Sequence, residues 1–216
     1  LEVYDYYGGI YFDTVSDSFV QSNKLHTNKN GLALAFSSNN QITGHLVDYS
    51  RRAGISINGS SVGNTLSQNA ISSNDGLGID LGDDGVTPND VGDDDEGPNR
   101  LVNYPVLGSA TNACGTGTTV VSGTVDTASP QLGTVELFVS VVPDPTGFGE
   151  AESFIGTTTP ALDGSFGATL PAVPIGQYVT ATYTDTAGNT SELSAGVEVL
   201  GTPFPPEALH ADLAAG

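Results

Sequence analysis

Apolar residues over the first eighty positions fall in short patches that return on a nearly fixed period. Gly9-Ile10-Tyr11-Phe12, Gly31-Leu32-Ala33-Leu34, Gly54-Ile55-Ser56-Ile57 and Gly78-Ile79-Asp80-Leu81 are offset by 22, 23 and 24 residues. A second phase keeps step with them: Val20 with Leu25, Ile42 with Val47 and Leu66 with Ile71, each pair five apart. Periods of this length mark stacked units, none of which can bury its apolar face alone. Each patch is strand-sized and is bounded by Asn, Ser, Gly and Asp. The pattern predicts a parallel β-solenoid of roughly three and a half coils over residues 1–82, its patches merged into one interior column. Asn and Gly at the intervening positions (Asn23, Asn28, Asn30, Gly31, Asn39, Asn40, Asn58, Gly59, Asn64, Asn69 and Asn74) are expected at corners, where they tolerate left-handed backbone.

The pattern then changes. Asp80 to Glu96 is an acidic stretch ending in Gly97-Pro98, and residues 83–100 read as a linker. From 101 to 200 short alternating segments recur with turn signals every ten or so residues. Strands are expected at 101–108, 117–125, 134–142, 152–158, 165–170, 177–184 and 191–199. Val135, Leu137 and Val139 alternate cleanly; Tyr178, Thr180 and Thr182 do so less cleanly. Seven short strands with Pro, Gly and Asp turns predict an immunoglobulin-like β-sandwich over 101–200. Residues 201–216, with Pro203, Pro205 and Pro206, read as a tail, flexible or ordered by a neighbour. The fold class is all-β: a short parallel β-helix followed by the sandwich.

Charge narrows the partners. The 216 residues carry a formal charge of −20, and all five basic residues (Lys24, Lys29, Arg51, Arg52, Arg100) lie in the first hundred positions. Such a field repels nucleic acid and anionic membranes and favours divalent cations. The single cysteine, Cys114, can form no internal disulfide and reads as a small packing residue. No apolar stretch is long enough for a membrane span, and a chain that does not start with Met reads as a mature or excised form. The composition suits an extracellular or cell-surface protein.

The acidic stretch is the strongest chemical candidate. Asp80, Asp83, Asp84, Asp90, Asp93, Asp94, Asp95 and Glu96 place eight carboxylates within seventeen positions. Gly82, Gly85 and Gly92 let the backbone fold sharply enough to turn several oxygens inward. Calcium takes six to eight oxygen ligands in irregular geometry. The spacing is not that of an EF-hand. Asp80, Asp83, Asp84, Asp90, Asp93 and Asp95 are the expected ligands of a structural calcium that fixes the angle between the two parts. The alternative is a solvated acidic linker.

Catalytic constellations are weaker. Asp48, Arg51 and Arg52 share a corner with His45 nearby, but an Arg among so many acids stays protonated, and a surface ion pair is the simpler reading. Asp13 and Asp17 match glycosidase carboxylates by type only. His26, His45 and His210 are dispersed. Tyr4, Tyr6, Tyr7 and Tyr11 are half of the tyrosines within eleven residues. They suit sugar stacking, assembly contacts, or a cap whose rings cover the open end of the column. Asn58-Gly59-Ser60 and Asn189-Thr190-Ser191 match the glycosylation pattern.

Asn64-Thr65-Leu66-Ser67-Gln68-Asn69 with Gly54-Ile55-Ser56-Ile57 resembles the coils of right-handed parallel β-helix proteins of the pectate-lyase-like superfamily. The run from Gly78 to Asp90 is similar to the closing segment of large bacterial surface proteins in which a β-helix precedes an Ig-like module. Thr184 to Ser191 is similar to a strand-turn of such modules. The resemblance implies the right hand of the helix, the Ig-like partner and a surface location, and no particular activity, because the superfamily hosts enzymes, adhesins and inert stalks alike. The sequence therefore points to a non-enzymatic structural or adhesive protein, a subunit of a surface fibre, sheath or layer. Self-association or other surface proteins are its expected partners. The alternative is a polysaccharide-binding or lyase-type β-helix module facing the glycan with its tyrosines and the Arg51/Arg52 corner.

Overall fold

A computed structural model describes residues 1–113 and 117–202; Cys114, His210 and the tail beyond 202 lie outside the described residues. The first coil comprises β1 (Glu2–Tyr4), β2 (Gly8–Asp13) and β3 (Phe19–Gln21). The second has β4 (Lys24–His26), β5 (Asn30–Ala35) and β6 (Gln41–Thr43). The third has β7 (Leu46–Asp48), β8 (Ile55–Asn58) and β9 (Thr65–Ser67). A fourth opens with β10 (Ala70–Ser72) and β11 (Ile79–Leu81). Three parallel sheets form the walls: β1-β4-β7-β10, β2-β5-β8-β11 and β3-β6-β9. Ile10, Leu32, Ile55 and Ile79 lie in one ladder, and Phe12, Leu34, Ile57 and Leu81 in the next. Val3, Leu25, Val47 and Ile71 face them from the second wall, and Val20, Ile42 and Leu66 from the third. These residues form one apolar cluster. The molecule is an all-β protein whose first part is a parallel β-helix.

The corners work differently from the expectation. Of the asparagines assigned to left-handed backbone, Asn39 has positive φ, whereas Asn28, Asn40, Asn64, Asn69 and Asn74 do not. Left-handed residues precede them instead: Thr27, Asn39, Gly63, Gln68 and Ser73. Each asparagine turns inward and accepts a backbone N–H from the coil above. Tyr6 N–H donates to Asn28 Oδ1 at 3.0 Å, Ser18 N–H to Asn40 Oδ1 at 3.0 Å, His45 N–H to Asn69 Oδ1 at 3.0 Å and Ser50 N–H to Asn74 Oδ1 at 2.9 Å. His45 fills the same role, with Nδ1 3.1 Å from the Asn23 amide and Nε2 3.2 Å from the Val20 carbonyl. Burial accordingly lowers its pKa. Buried backbone donors need partners, and the next coil supplies them.

The second part has seven strands: β12 (Val106–Ala113), β13 (Thr118–Thr124), β14 (Thr134–Ser140), β15 (Ser153–Thr158), β16 (Ser165–Pro171), β17 (Tyr178–Thr184) and β18 (Val197–Gly201). Their order is β15-β14-β17-β18-β12-β13-β16, antiparallel except for β12 with β18. Val121, Val135, Leu137, Phe166, Leu170, Val179 and Tyr183 pack within one cluster. Two strand boundaries differ from expectation. Residues 98–101 form a 3-10 turn and the first strand starts at Val106, because Asn99 is drawn into the solenoid. Ser191 to Ser194 is buried against the last coil, and the final strand starts only at Val197.

The two parts share one interior. Phe138, Phe154, Ala151 and Leu193 join the solenoid cluster. Ile71 and Ala151 exchange both backbone hydrogen bonds, at 2.8 and 2.9 Å. This explains the imperfect alternation of β17: Val179, Ala181 and Tyr183 face their own core, while Thr180 and Thr182 are buried on the opposite face. The last coil's exposed donors meet acceptors from beyond the solenoid. Asn64 N–H donates to Asn99 Oδ1 at 3.0 Å and Leu66 N–H to Thr190 Oγ1 at 2.9 Å. Ser67 Oγ–H and Gln68 N–H donate to Glu136 at 2.6 and 2.8 Å; Leu81 and Thr87 N–H donate to Glu192, both at 3.0 Å. Glu150 faces the Ser73 and Asn74 amides. Asn189 is buried here, donating to Asp185 and accepting the Gly63 N–H, so that glycosylation pattern is not accessible.

Two outcomes follow. Ile55→Ala should cost about 2–5 kcal/mol in denaturant unfolding, because the stacked column cannot collapse onto the void. Leu162→Ala, at an exposed position, should stay within about 0.5 kcal/mol. Burial raises Glu192, and burial with the Asp144 carboxylate raises Glu150, both from 4.5 to about 7. The folded chain then holds more protons than the unfolded chain between those values, so stability must fall as pH rises through that window. Urea midpoints should be higher near pH 5 than near pH 8, and Glu192→Gln should flatten the difference; an unchanged slope would contradict the assignment.

Candidate functional site

The acidic segment leaves the solenoid at Leu81 and folds back over the start of the second part. Asn89 Nδ2–H donates to the Tyr104 carbonyl at 2.8 Å, and its Oδ1 accepts the Tyr104 N–H at 3.1 Å. Asn103 is buried and donates to the carbonyls of Asp90 and Asp126, at 2.9 and 2.7 Å, while its Oδ1 accepts the Asp90 N–H. Two asparagines therefore staple the loop through backbone groups, a role that its acidic composition does not reveal.

That staple gathers half of the expected ligands. Asp90, Asp93 and Asp95 each offer a carboxylate oxygen within 4.8 Å of the others. Asp93 Oδ1 accepts the Asn103 N–H at 2.8 Å, and Asp90 Oδ2 accepts the Asp94 N–H at 3.1 Å. Asp90 Oδ1 and Asp95 Oδ1 are shut from solvent without a hydrogen-bond partner. Burial, with the Asp95, Asp90 and Asp185 carboxylates adding to it, raises Asp93 to about 6. A partly buried group of like charges with unpartnered oxygens is held together by a proton or a cation.

The other three expected ligands lie apart from this group. Asp83 pairs with Arg52 Nη1 at 3.3 Å, and Asp80 Oδ1 accepts the Asp84 N–H at 3.2 Å. Asp80 belongs to β11, one coil below Ser56, and burial raises its pKa. They serve the turn out of the solenoid.

The tyrosines sit on the outer wall. Tyr4, Tyr6, Tyr7 and Tyr11 are 53% to 76% exposed and do not cover the column, whose first-coil members Val3, Ile10, Phe12 and Val20 are only partly buried. Tyr4 lies against His26 with ring centroids 5.2 Å apart, and His26 Nε2 is 3.5 Å from Glu2. Lys29 Nζ stands 3.9 Å above the Tyr7 ring, and the Lys29 ammonium lowers the Tyr7 hydroxyl pKa. Tyr6, Tyr7, Lys29, Arg51 and Arg52 line an open pocket of about 420 Å³. Asp13 and Asp17 lie outside the acidic cluster, and burial raises Asp48, against the opposing charges of His26, its ladder neighbour, and Lys24.

Comparison with known proteins adds one finding. Residues 2–97, the solenoid with its acidic segment, match the NosD family model, described as a periplasmic copper-binding protein. No curated protein matches the chain.

Proposed function

We propose that this chain is a non-enzymatic structural or adhesive element, stiffened by calcium at Asp90, Asp93 and Asp95 and working as part of a surface fibre, sheath or layer. The joint carries the reading. Asn99, Glu136 and Glu192 stand where a further coil would place its acceptors, and Phe138 and Leu193 extend the apolar column. Units that share an apolar cluster in this way resist bending at the joint, a property that suits a load-bearing or presenting role better than a hinge-dependent one. The second unit supports an immunoglobulin-like reading. Its seven short strands, hydrogen-bonded in the order β15-β14-β17-β18-β12-β13-β16 about one apolar cluster, are what supports that reading.

Calcium fits the donor set. The one cluster of three ligating side chains among the described residues is all carboxylate, and hard oxygen donors suit calcium or magnesium. The copper binding named for the matched family does not fit these residues, since copper sites draw on imidazole and sulfur. Among the described residues His45 has both ring nitrogens engaged inside the wall and His26 lies against Glu2, so neither joins the carboxylate cluster. A periplasmic family match agrees with an extracellular or cell-surface location, and no described helix is long and apolar enough to cross a membrane.

Calcium at a hundred times its Kd should add about 2.7 kcal/mol, or about 5–10 °C in Tm, with EDTA reversing it. Asp93→Asn should abolish the shift. Because Asp93 must give up its proton, the calcium shift should shrink below its value of about 6. A Tm indifferent to calcium removes the metal from the proposal. For the structural role, electron microscopy of native material should show elongated assemblies that EDTA loosens, and a glycan panel should yield no unsaturated sugar ends. Dispersed particles that release such ends would overturn it.

A further inference from the structure

The positive charges of this acidic chain are not scattered. Lys29 N–H donates to the Tyr6 carbonyl at 2.9 Å and Arg51 N–H to the Asn28 carbonyl at 2.9 Å, so Tyr7, Lys29 and Arg51 occupy one corner position in three successive coils. Neighbouring rungs of a sheet lie about 4.8 Å apart. Two cations one rung apart, with Arg52 beside them, repel each other by the rule that disfavours like charges in register. A chain with 25 acidic residues could neutralise them readily. Among these three cations Arg52 has an ion pair, with Asp83, while Lys29 meets the Tyr7 ring and Arg51 meets no carboxylate of the described residues within pairing distance. Asp5 is the single acid lining the pocket they share.

A second pocket, about 360 Å³, adjoins the first through Tyr7 and Arg52 and runs along the outer face of the β2-β5-β8 wall. Its floor is made of small residues, with Ala33 and Ser56 in one ladder below Tyr11 and Asp80 on the next rung, and Asp83 lines the same pocket, engaged by Arg52. Ser56 is 1% exposed, and its hydroxyl has no hydrogen-bond partner; Asn30 Oδ1, on the same lining, is likewise buried and unpartnered. Unmet polar atoms beneath exposed rings, next to Lys29 and Arg51 without a carboxylate partner, describe a site that lacks its ligand.

We infer that the Lys29-Arg51-Arg52 ladder and the adjoining wall of Tyr7, Tyr11 and Ser56 form a binding site for an anionic saccharide. The cations take its carboxylate or sulfate groups, the tyrosine faces take its C–H surface, and Ser56 and Asn30 take its hydroxyls. A free inorganic anion would use the cations alone and leave the rings and Ser56 idle. The site gives the adhesive side of the proposed function a ligand class, and it needs neither the calcium nor the assembly.

Calorimetric titration of the intact chain tests it with a hyaluronate hexasaccharide (carboxylate only), a chondroitin sulfate hexasaccharide, neutral cellohexaose and inorganic sulfate. Both anionic sugars should bind, with the tighter one showing which group the ladder prefers, and added salt should weaken them. Arg51→Gln and Lys29→Gln, at surface positions that keep the circular dichroism spectrum, should each weaken binding about tenfold or more. Tyr7→Ala should weaken the sugars without changing any response to sulfate. Binding of sulfate alone, equal binding of cellohexaose, or affinities unmoved in the variants would overturn the proposal. So would loss of self-association in Arg51→Gln without saccharide binding, since that would assign the ladder to a second copy. Assembly seen by microscopy is a separate measurement, so the site can fail while the structural role stands.

Discussion

A solenoid coil leaves its corner N–H groups pointing along the axis, and everything else in this molecule depends on where those donors go. Within the stack the answer is local: an asparagine, a serine or His45 of the next coil turns inward and accepts them. A buried amide without a partner costs about 1–3 kcal/mol, so a coil without a successor is expensive at every corner. Apolar stacking alone could not set the register this sharply, because Ile, Leu and Val are interchangeable along the column. The side-chain acceptors make each coil specific for the next.

The last coil has no successor, and the second part stands in for one. Asn99 reproduces the asparagine acceptor at one corner, and other residue types serve the rest. Among these are longer side chains: Glu136 from β14 and Glu192 from the segment after β17 each accept two donors. Carboxylates are strong acceptors, and they also carry charge into a dry joint. Desolvation is the largest cause of the raised pKa values of both groups, with the accepted hydrogen bonds opposing it. The joint is thus tight and pH-sensitive for one reason.

The ladder of Ile10, Leu32, Ile55 and Ile79 was legible because stacking converts sequence period directly into spatial contact. What escaped was chemistry that period does not encode. Asparagine at a corner reads equally well as a backbone device or as a side-chain acceptor, and only the inward rotamer separates the two. Ser191 to Ser194 falls in an expected strand, yet Glu192 and Leu193 serve the last coil while Ser191 and Ser194 bond to β17. Glu136 did leave a signal, a lone charge in the run Val135-Glu136-Leu137-Phe138, where an outward-facing sheet residue would have a polar neighbour two positions on.

The acidic segment shows the same limit from the other side. Six aspartates were alike in composition, and the fold separates them by what lies beneath. Asp83 meets Arg52, while Asp90 and Asp93 meet Asn103, whose side chain and N–H fix the loop from ten or more residues away. A partner at that distance has no period and no pattern, so nothing marks it in advance. Tyr7, Lys29 and Arg51 are the opposite case, since their 22-residue spacing is the solenoid period itself. A repeat that aligns apolar residues inside must align whatever stands at the corners outside. Selection can therefore write a linear ligand site on such a wall by changing one position per coil, with no effect on the column behind it.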